Sequence, residues 1–163
     1  IVDHALLFCG GGYVRMYSDI RRVTAVGDAE DHIKLVFKGV NGRIVDMEIS
    51  GGAALPTPEY VIYGTRGSLT GNSDKFRLKY LDPEVPLAKI RANPGTPESG
   101  VYGNGETLKW IEETVVPDED YQSIIWDYLY KTIREGRPFP ITSAQAVEVV
   151  RTIEKAKEGT IFA

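Results

Sequence analysis

Chemistry-bearing side chains are scarce in this sequence of 163 residues, which has one cysteine, Cys9, and two histidines, His4 and His32. A single thiol cannot close an internal disulfide, and one cysteine with two scattered histidines has no spacing for structural zinc. A reducing setting and a cytoplasmic location are the expectation. Long apolar runs are missing as well. None approaches the roughly 18 residues that span a bilayer, so no membrane partner is expected. Nor is there an excess of cations: 19 Lys and Arg stand against 23 Asp and Glu, a formal charge of −4 that leaves no large field for a phosphate backbone and sets nucleic acid aside. Internal repeats and low-complexity tracts are absent. With 42% hydrophobic and 26% charged residues, the composition excludes disordered, collagenous and coiled-coil chains. At this length one domain with one core is expected, covering residues 1–163.

The sequence opens apolar at once, with Ile1, Val2, Ala5, Leu6, Leu7, Phe8 and Cys9 at helical spacing. No Ser, Thr, Asp or Asn precedes this stretch to cap it, and no charged region or small-residue cleavage site makes it a signal peptide. The expectation is a piece of a longer chain, entered inside a helix; a natural mature N-terminus is the alternative. Gly10-Gly11-Gly12 ends the helix, since glycine takes the left-handed conformation of a helix C-terminus without steric cost. Those glycines cannot cradle a phosphate, which needs a strand before them and a helix after.

From Arg22 the period changes to two. Val23, Ala25 and Val26 are a short strand candidate. Ile33, Leu35 and Phe37 then alternate with His32, Lys34, Val36 and Lys38. After the turn Gly39-Val40-Asn41-Gly42, Val45, Met47 and Ile49 alternate with Ile44, Asp46 and Glu48, so residues 32–49 read as a hairpin with one dry and one wetter face. Tyr60 to Tyr63, Ser68 to Thr70, Phe76 to Tyr80 and about Thr107 to Val116 are further strands. Asp82 to Gly105 holds four of the nine prolines and reads as a surface excursion. The last third is helical. Tyr121, Ile124, Ile125, Tyr128, Leu129, Thr132 and Ile133 form a stripe with Asp118 as N-cap and Gly136 as stop. A second helix starts at a Thr142/Gln145 capping box and turns Ala146, Val149, Val150 and Ile153 inward until Gly159. Strands in the middle and helices at both ends predict an α+β fold.

Few residues are placed for chemistry. Asp3 and His4 adjoin on one helix and project about 100° apart, so at most one faces a given ligand; the plain reading is a helix-end carboxylate beside a solvated imidazole. Asp28, Glu30, Asp31 and His32 lack the spacing of a calcium loop and read as a solvated turn. Ser68 lacks the flanking pattern of a nucleophile elbow and reads as a turn serine. Trp126 and Tyr130, one turn apart, could stack on a sugar, but packing is the plainer role. Cys9 has no neighbouring cation and reads as a small core residue. Taken alone, these residues describe a sheet domain without catalytic machinery of its own.

Three segments carry a family resemblance. Ile1-Val2-Asp3-His4-Ala5-Leu6-Leu7-Phe8-Cys9-Gly10 resembles a His-Leu-Ile-Asp-x-(apolar) helix of the glucose–fructose oxidoreductase/inositol dehydrogenase family, with Asp3 at its aspartate. Val61-Ile62-Tyr63-Gly64-Thr65-Arg66-Gly67-Ser68-Leu69 is similar to a sheet segment of that family. Ile133-Arg134-Glu135-Gly136-Arg137-Pro138-Phe139-Pro140-Ile141-Thr142, followed by Gln145-Ala146, Val149-Val150 and Ile153-Glu154, is similar to its terminal helices and their link. The resemblance implies the C-terminal domain of a two-domain oxidoreductase: an open, mainly antiparallel sheet with helices on one face, whose N-terminal Rossmann domain is not in this sequence. It implies NAD or NADP as cofactor of the parent, none in this chain, and hydride transfer involving a sugar, polyol or related cyclic alcohol. The family's catalytic lysine segment has no counterpart, and its base histidine would fall just upstream of Ile1. Asp3 is then a ligand of a substrate hydroxyl or a support for the site. The resemblance also implies a homo-oligomer formed through the open sheet face. The alternative is a non-catalytic oligomerisation or scaffolding sheet domain.

Overall fold

The computed structural model describes residues 1–24, 26–89, 95, 107–117 and 121–163. Among them are three helices and seven strands, all paired antiparallel, in the α+β arrangement expected. The chain divides into two compact units, Ile1–Pro56 with Asp120–Ala163, and Thr57–Glu119.

In the first unit, helix α1 (Val2–Phe8) ends at a pair of glycines. Gly10 N–H donates to Leu7 O at 3.0 Å and Gly11 N–H to Leu6 O at 2.8 Å, with φ of +84° and +91°. This is the stop that the sequence predicts. Strands β1 (Tyr13–Arg21), β2 (His32–Gly39) and β3 (Ile44–Ser50) form a sheet in that order. The register puts Ile20, Ile33 and Ile49 in one row, Leu35 and Met47 in the next, and Met16, Phe37 and Val45 in a third. The hairpin therefore has the dry and wet faces expected of it. Helices α1 and α3 (Ser143–Lys157) pack on this sheet, and Ala5, Cys9, Ile20, Leu35, Phe37, Met47 and Ala156 form the core. Cys9 is fully buried and its thiol is pushed up by burial, as a core residue's is.

Two expectations about this unit are corrected. Val23 and Val26 lie in bends, Ala25 is outside the described residues, and the strand is Tyr13–Arg21 instead. The alternation there is hidden by an inward Ser18 and an outward Tyr17, and a bulge at the strand's start steps the pairing from Tyr13↔Gly39 to Arg15↔Lys38, leaving Val14 exposed while Tyr13 packs against Phe37 at 5.3 Å between ring centroids. In α3 the capping box is formed, with Gln145 N–H donating to Thr142 Oγ1 and Thr142 N–H to Gln145 Oε1. Its inner face, however, is Thr152 and Ala156 with Val149 and Ile153, while Ala146 and Val150 are exposed. The close approach of α1 favours small side chains, at the cost of burying the Thr152 hydroxyl without a hydrogen-bond partner among the described residues.

Helix α2 (Tyr121–Glu135) has the predicted extent and stops at Gly136, φ +67°. Its stripe remains open: Ile125, Tyr128, Leu129 and Ile133 are all exposed. The expected N-cap, Asp118, lies outside the described residues, as does most of the excursion to Gly105.

The second unit is a four-stranded meander: β4 (Tyr60–Tyr63), β5 (Gly67–Asn72), β6 (Lys75–Leu81) and β7 (Trp110–Val115). Tyr60, Ile62, Leu69, Phe76, Leu78, Tyr80, Ile111 and Val115 share one face. Ser68, read as the turn serine that opens the strand Ser68 to Thr70, lies in β5, paired with Tyr63 and Lys79 on the other face.

Gly39 is where α1 meets the sheet. A Cβ there would stand 2.7 Å from both Cα and O of Cys9, inside backbone that cannot yield. Gly42, in the same turn, has φ +84° but open space around it. Gly39→Ala is therefore expected to destabilise the first unit by about 2 kcal/mol or more. Gly42→Ala is expected to lose only about 1 kcal/mol, from backbone strain. Urea unfolding followed by circular dichroism measures both.

Candidate functional site

Asp3 lies in the first turn of α1, on the side away from the core, and is 58% exposed. His4 follows with its Nε2 3.9 Å from Asp3 Oδ2 and half of its side chain exposed. Although the two positions point about 100° apart, the side chains close that angle, so both reach one patch of surface. A carboxylate beside an imidazole at an exposed helix end can accept hydrogen bonds from a hydroxylated ligand and orient it.

The acidic cluster before β2 is structural. Asp31 accepts the N–H groups of Val23 at 2.7 Å and Thr24 at 2.9 Å, and the Thr24 hydroxyl at 2.6 Å, which shapes the loop after β1. Glu30 pairs with Lys157 near the end of α3, and the ammonium lowers the Glu30 carboxyl. No group of metal-ligating side chains occurs among the described residues. Trp126 and Tyr130 are 70% and 62% exposed, so the packing role expected for them is not what the structure shows.

A second polar region lies on the meander. A shallow depression of about 350 Å³ is lined by Ser68, Thr70, Arg77, Leu78, Lys79, Glu112, Glu113 and Thr114. Of these residues the sequence singled out Ser68 alone, as a turn serine. The available signal was the alternation of Lys75, Arg77 and Lys79 with Phe76, Leu78 and Tyr80, which places three cations on one face of one strand.

No protein-family model matches the sequence, and no curated protein matches it. Solved structures match nearly the whole chain. An oxidoreductase from Bacillus cereus is similar with a TM-score of 0.72 at 17% identity, over 99% of this chain and 47% of that one. UDP-N-acetylglucosamine 3-dehydrogenase GnnA from Acidithiobacillus ferrooxidans gives 0.68 at 15%, over 98% and 45%. An NAD-binding protein from Listeria innocua gives 0.67 at 13%, over 98% and 46%. The chain thus spans about half the length of the solved structures it matches, and with that half it shares a fold. No helix among the described residues is long and apolar enough to cross a membrane.

Asp82, at the start of the expected surface excursion, is buried. Its carboxylate meets Lys109 Nζ at 2.8 Å and the Glu84 N–H at 2.9 Å; the Lys109 ammonium, then that N–H, hold its carboxyl below the usual range against the opposing effect of burial. A carboxyl lowered on folding adds stability that is fully present above the unfolded value of about 3.9 and is lost as pH falls through the folded one. Thermal unfolding from neutral pH into that acid range is expected to show a loss of stability in the wild type. Asp82→Asn is expected to be less stable at neutral pH and less pH-dependent below about pH 4.

Proposed function

We propose that these residues act as one domain, the C-terminal, substrate-side sheet domain of an NAD(P)-dependent oxidoreductase of the glucose–fructose oxidoreductase/inositol dehydrogenase family. The substrate class is a sugar, polyol or related cyclic alcohol. One observation carries the reading: an α+β chain that matches about half of each of several solved structures, an oxidoreductase and a sugar-nucleotide dehydrogenase among them. The three resembling segments add support from their contexts. Asp3 opens a helix that Gly10 stops, the Gly64 to Gly67 turn joins β4 to β5, and Gly136-Arg137-Pro138 links α2 to α3.

The described residues do not offer a site that fits the dinucleotide. Its pyrophosphate needs a glycine turn between a strand and the N-terminus of a helix, and Gly10-Gly11-Gly12 runs from a helix into a strand. The cofactor is therefore assigned to the rest of the parent. Asp3 supplies a carboxylate that accepts a hydrogen bond from a substrate hydroxyl and fixes the ring beside a base contributed from elsewhere.

In the full-length protein, Asp3→Ala is expected to lower kcat/KM by roughly 10- to 1,000-fold, about 1.4 to 4 kcal/mol of transition-state stabilisation, with cofactor affinity unchanged. Activity within about twofold of wild type would return Asp3 to a helix-end carboxylate. Calorimetry of the 163-residue chain alone is expected to show no NAD(H) or NADP(H) binding tighter than about 100 μM.

The outer face of the first sheet is proposed as the self-association surface. Arg15, Lys38 and Ile44 form one row, Tyr17, Val36 and Asp46 the next, and Asp19, Lys34 and Glu48 a third. A two-fold axis through the middle row sets the cationic row of one copy against the more acidic row of the other. Light scattering at micromolar concentration is expected to give at least twice 18.0 kDa, and a strict monomer overturns this assignment.

A further inference from the structure

The polar face of the meander has the makings of a ligand site that owes nothing to Asp3. Lys75, Arg77 and Lys79 follow one another along β6 on this face, about 7 Å apart. The register sets Ser68 and Glu112 on either side of Lys79, and Thr70 and Thr114 on either side of Arg77. These two rows differ in how their charge is met. Lys79 is matched, its Nζ 2.6 Å from Glu112 and 5.9 Å from the centroid of the Trp110 ring. Arg77 has no carboxylate across from it in either neighbouring strand, only two hydroxyls. Its charge reaches Glu112 one row away, lowering that carboxyl, but Glu112 is already held by Lys79. At the far end of the face, Glu59 is occupied in accepting the Ser73 N–H at 3.0 Å.

A cation in mid-sheet is ordinarily balanced across the strands, as Lys79 is. The Thr70–Arg77–Thr114 row instead presents hydrogen-bond donors that converge on a depression large enough for a small molecule. A guanidinium offers paired N–H groups matched to two oxygens of one oxoanion, and threonine hydroxyls can rotate to donate from each side. Of the two acids that line the depression, Glu113 accepts the Tyr80 hydroxyl at 2.6 Å and Glu112 repels an anion from the neighbouring row, so Arg77 is where one would settle, with Lys75 adding attraction.

We propose that this depression binds an oxoanion, the carboxylate or phosphate group of a polar small molecule, in the fork of Arg77 between the hydroxyls of Thr70 and Thr114. The site is independent of the dehydrogenase reading and stands whether or not the parent is an enzyme.

Two-dimensional ¹H–¹⁵N NMR of the whole chain tests it, with inorganic phosphate and D-glucuronate as probes and D-glucose as the neutral control. Phosphate, glucuronate or both are expected to shift the amides of Thr70, Arg77 and Thr114 with a Kd on the order of 1 to 10 mM, while glucose leaves them in place. Whichever anion acts alone identifies the source of the oxoanion. Arg77→Gln is expected to weaken binding about tenfold or more and Arg77→Lys less, with amides elsewhere unchanged. Should Arg77→Gln fail to fold, Thr114→Val is the second variant and is expected to weaken binding as well. Three results overturn the proposal: neither anion moves these amides, the variants leave the titration unchanged, or the shifts follow protein concentration instead of ligand. The last would place a second copy of the chain on this face.

Discussion

Everything in the first unit is referred to the contact between the end of α1 and the turn joining β2 to β3. The turn satisfies carbonyls that the helix leaves open at its C-terminus: Asn41 Nδ2 donates to Phe8 O at 2.9 Å and Asn41 N–H to Cys9 O at 3.4 Å, while Val40 N–H donates to Gly12 O in the following loop at 3.2 Å. Gly39 lets the two backbones meet, and the contact fixes one end of a seven-residue helix. The other end, with Asp3 and His4, is then held about 10 Å away by the helix itself. The position of the polar pair is thus set by the core, and nothing near Asp3 has to hold it in place.

The residues that look most like chemistry are largely consumed by architecture. Asp31 substitutes for missing backbone partners in a loop, Glu30 ties that loop to α3, and Asp82 receives the Lys109 ammonium and a backbone N–H together. Each is a carboxylate whose lone pairs are already taken, which is the usual fate of an acid at a partly buried turn. The Arg77 row presents the opposite case, polar groups without a matching charge in a place where sheets normally supply one.

How much was legible depended on whether a local signal matched the tertiary outcome. Helices α2 and α3 could be bounded from Gly136, the Thr142/Gln145 capping box and Gly159, because those signals act within a turn of the backbone. The faces of the 32–49 hairpin followed from strict alternation. β1 did not, because its inward row of Met16, Ser18 and Ile20 carries a serine while Tyr17 points outward, so apolar residues do not mark one face. The inner face of α3 was misplaced by counting large apolar residues where two helices in contact had selected Thr152 and Ala156. Asp3 was singled out only through family resemblance, since an exposed carboxylate in a first turn is otherwise unremarked. Arg77 was hidden, since the significance of its row depends on what stands opposite in two other strands.

The first unit is discontinuous in sequence, and this governs the order in which the chain can assemble. Ser18 Oγ donates to Ala156 O across 138 residues, and Ala156 shares its cluster with Ala5 and Cys9. The meander, by contrast, pairs only sequence neighbours, β4 with β5, β5 with β6 and β6 with β7. Local pairings form quickly and distant ones wait on loop closure. A ribosome delivers the whole meander before it delivers α3. Until that helix emerges, α1 and the first sheet have no Ala156 to close over Cys9, and their apolar surface is left for a chaperone to shield.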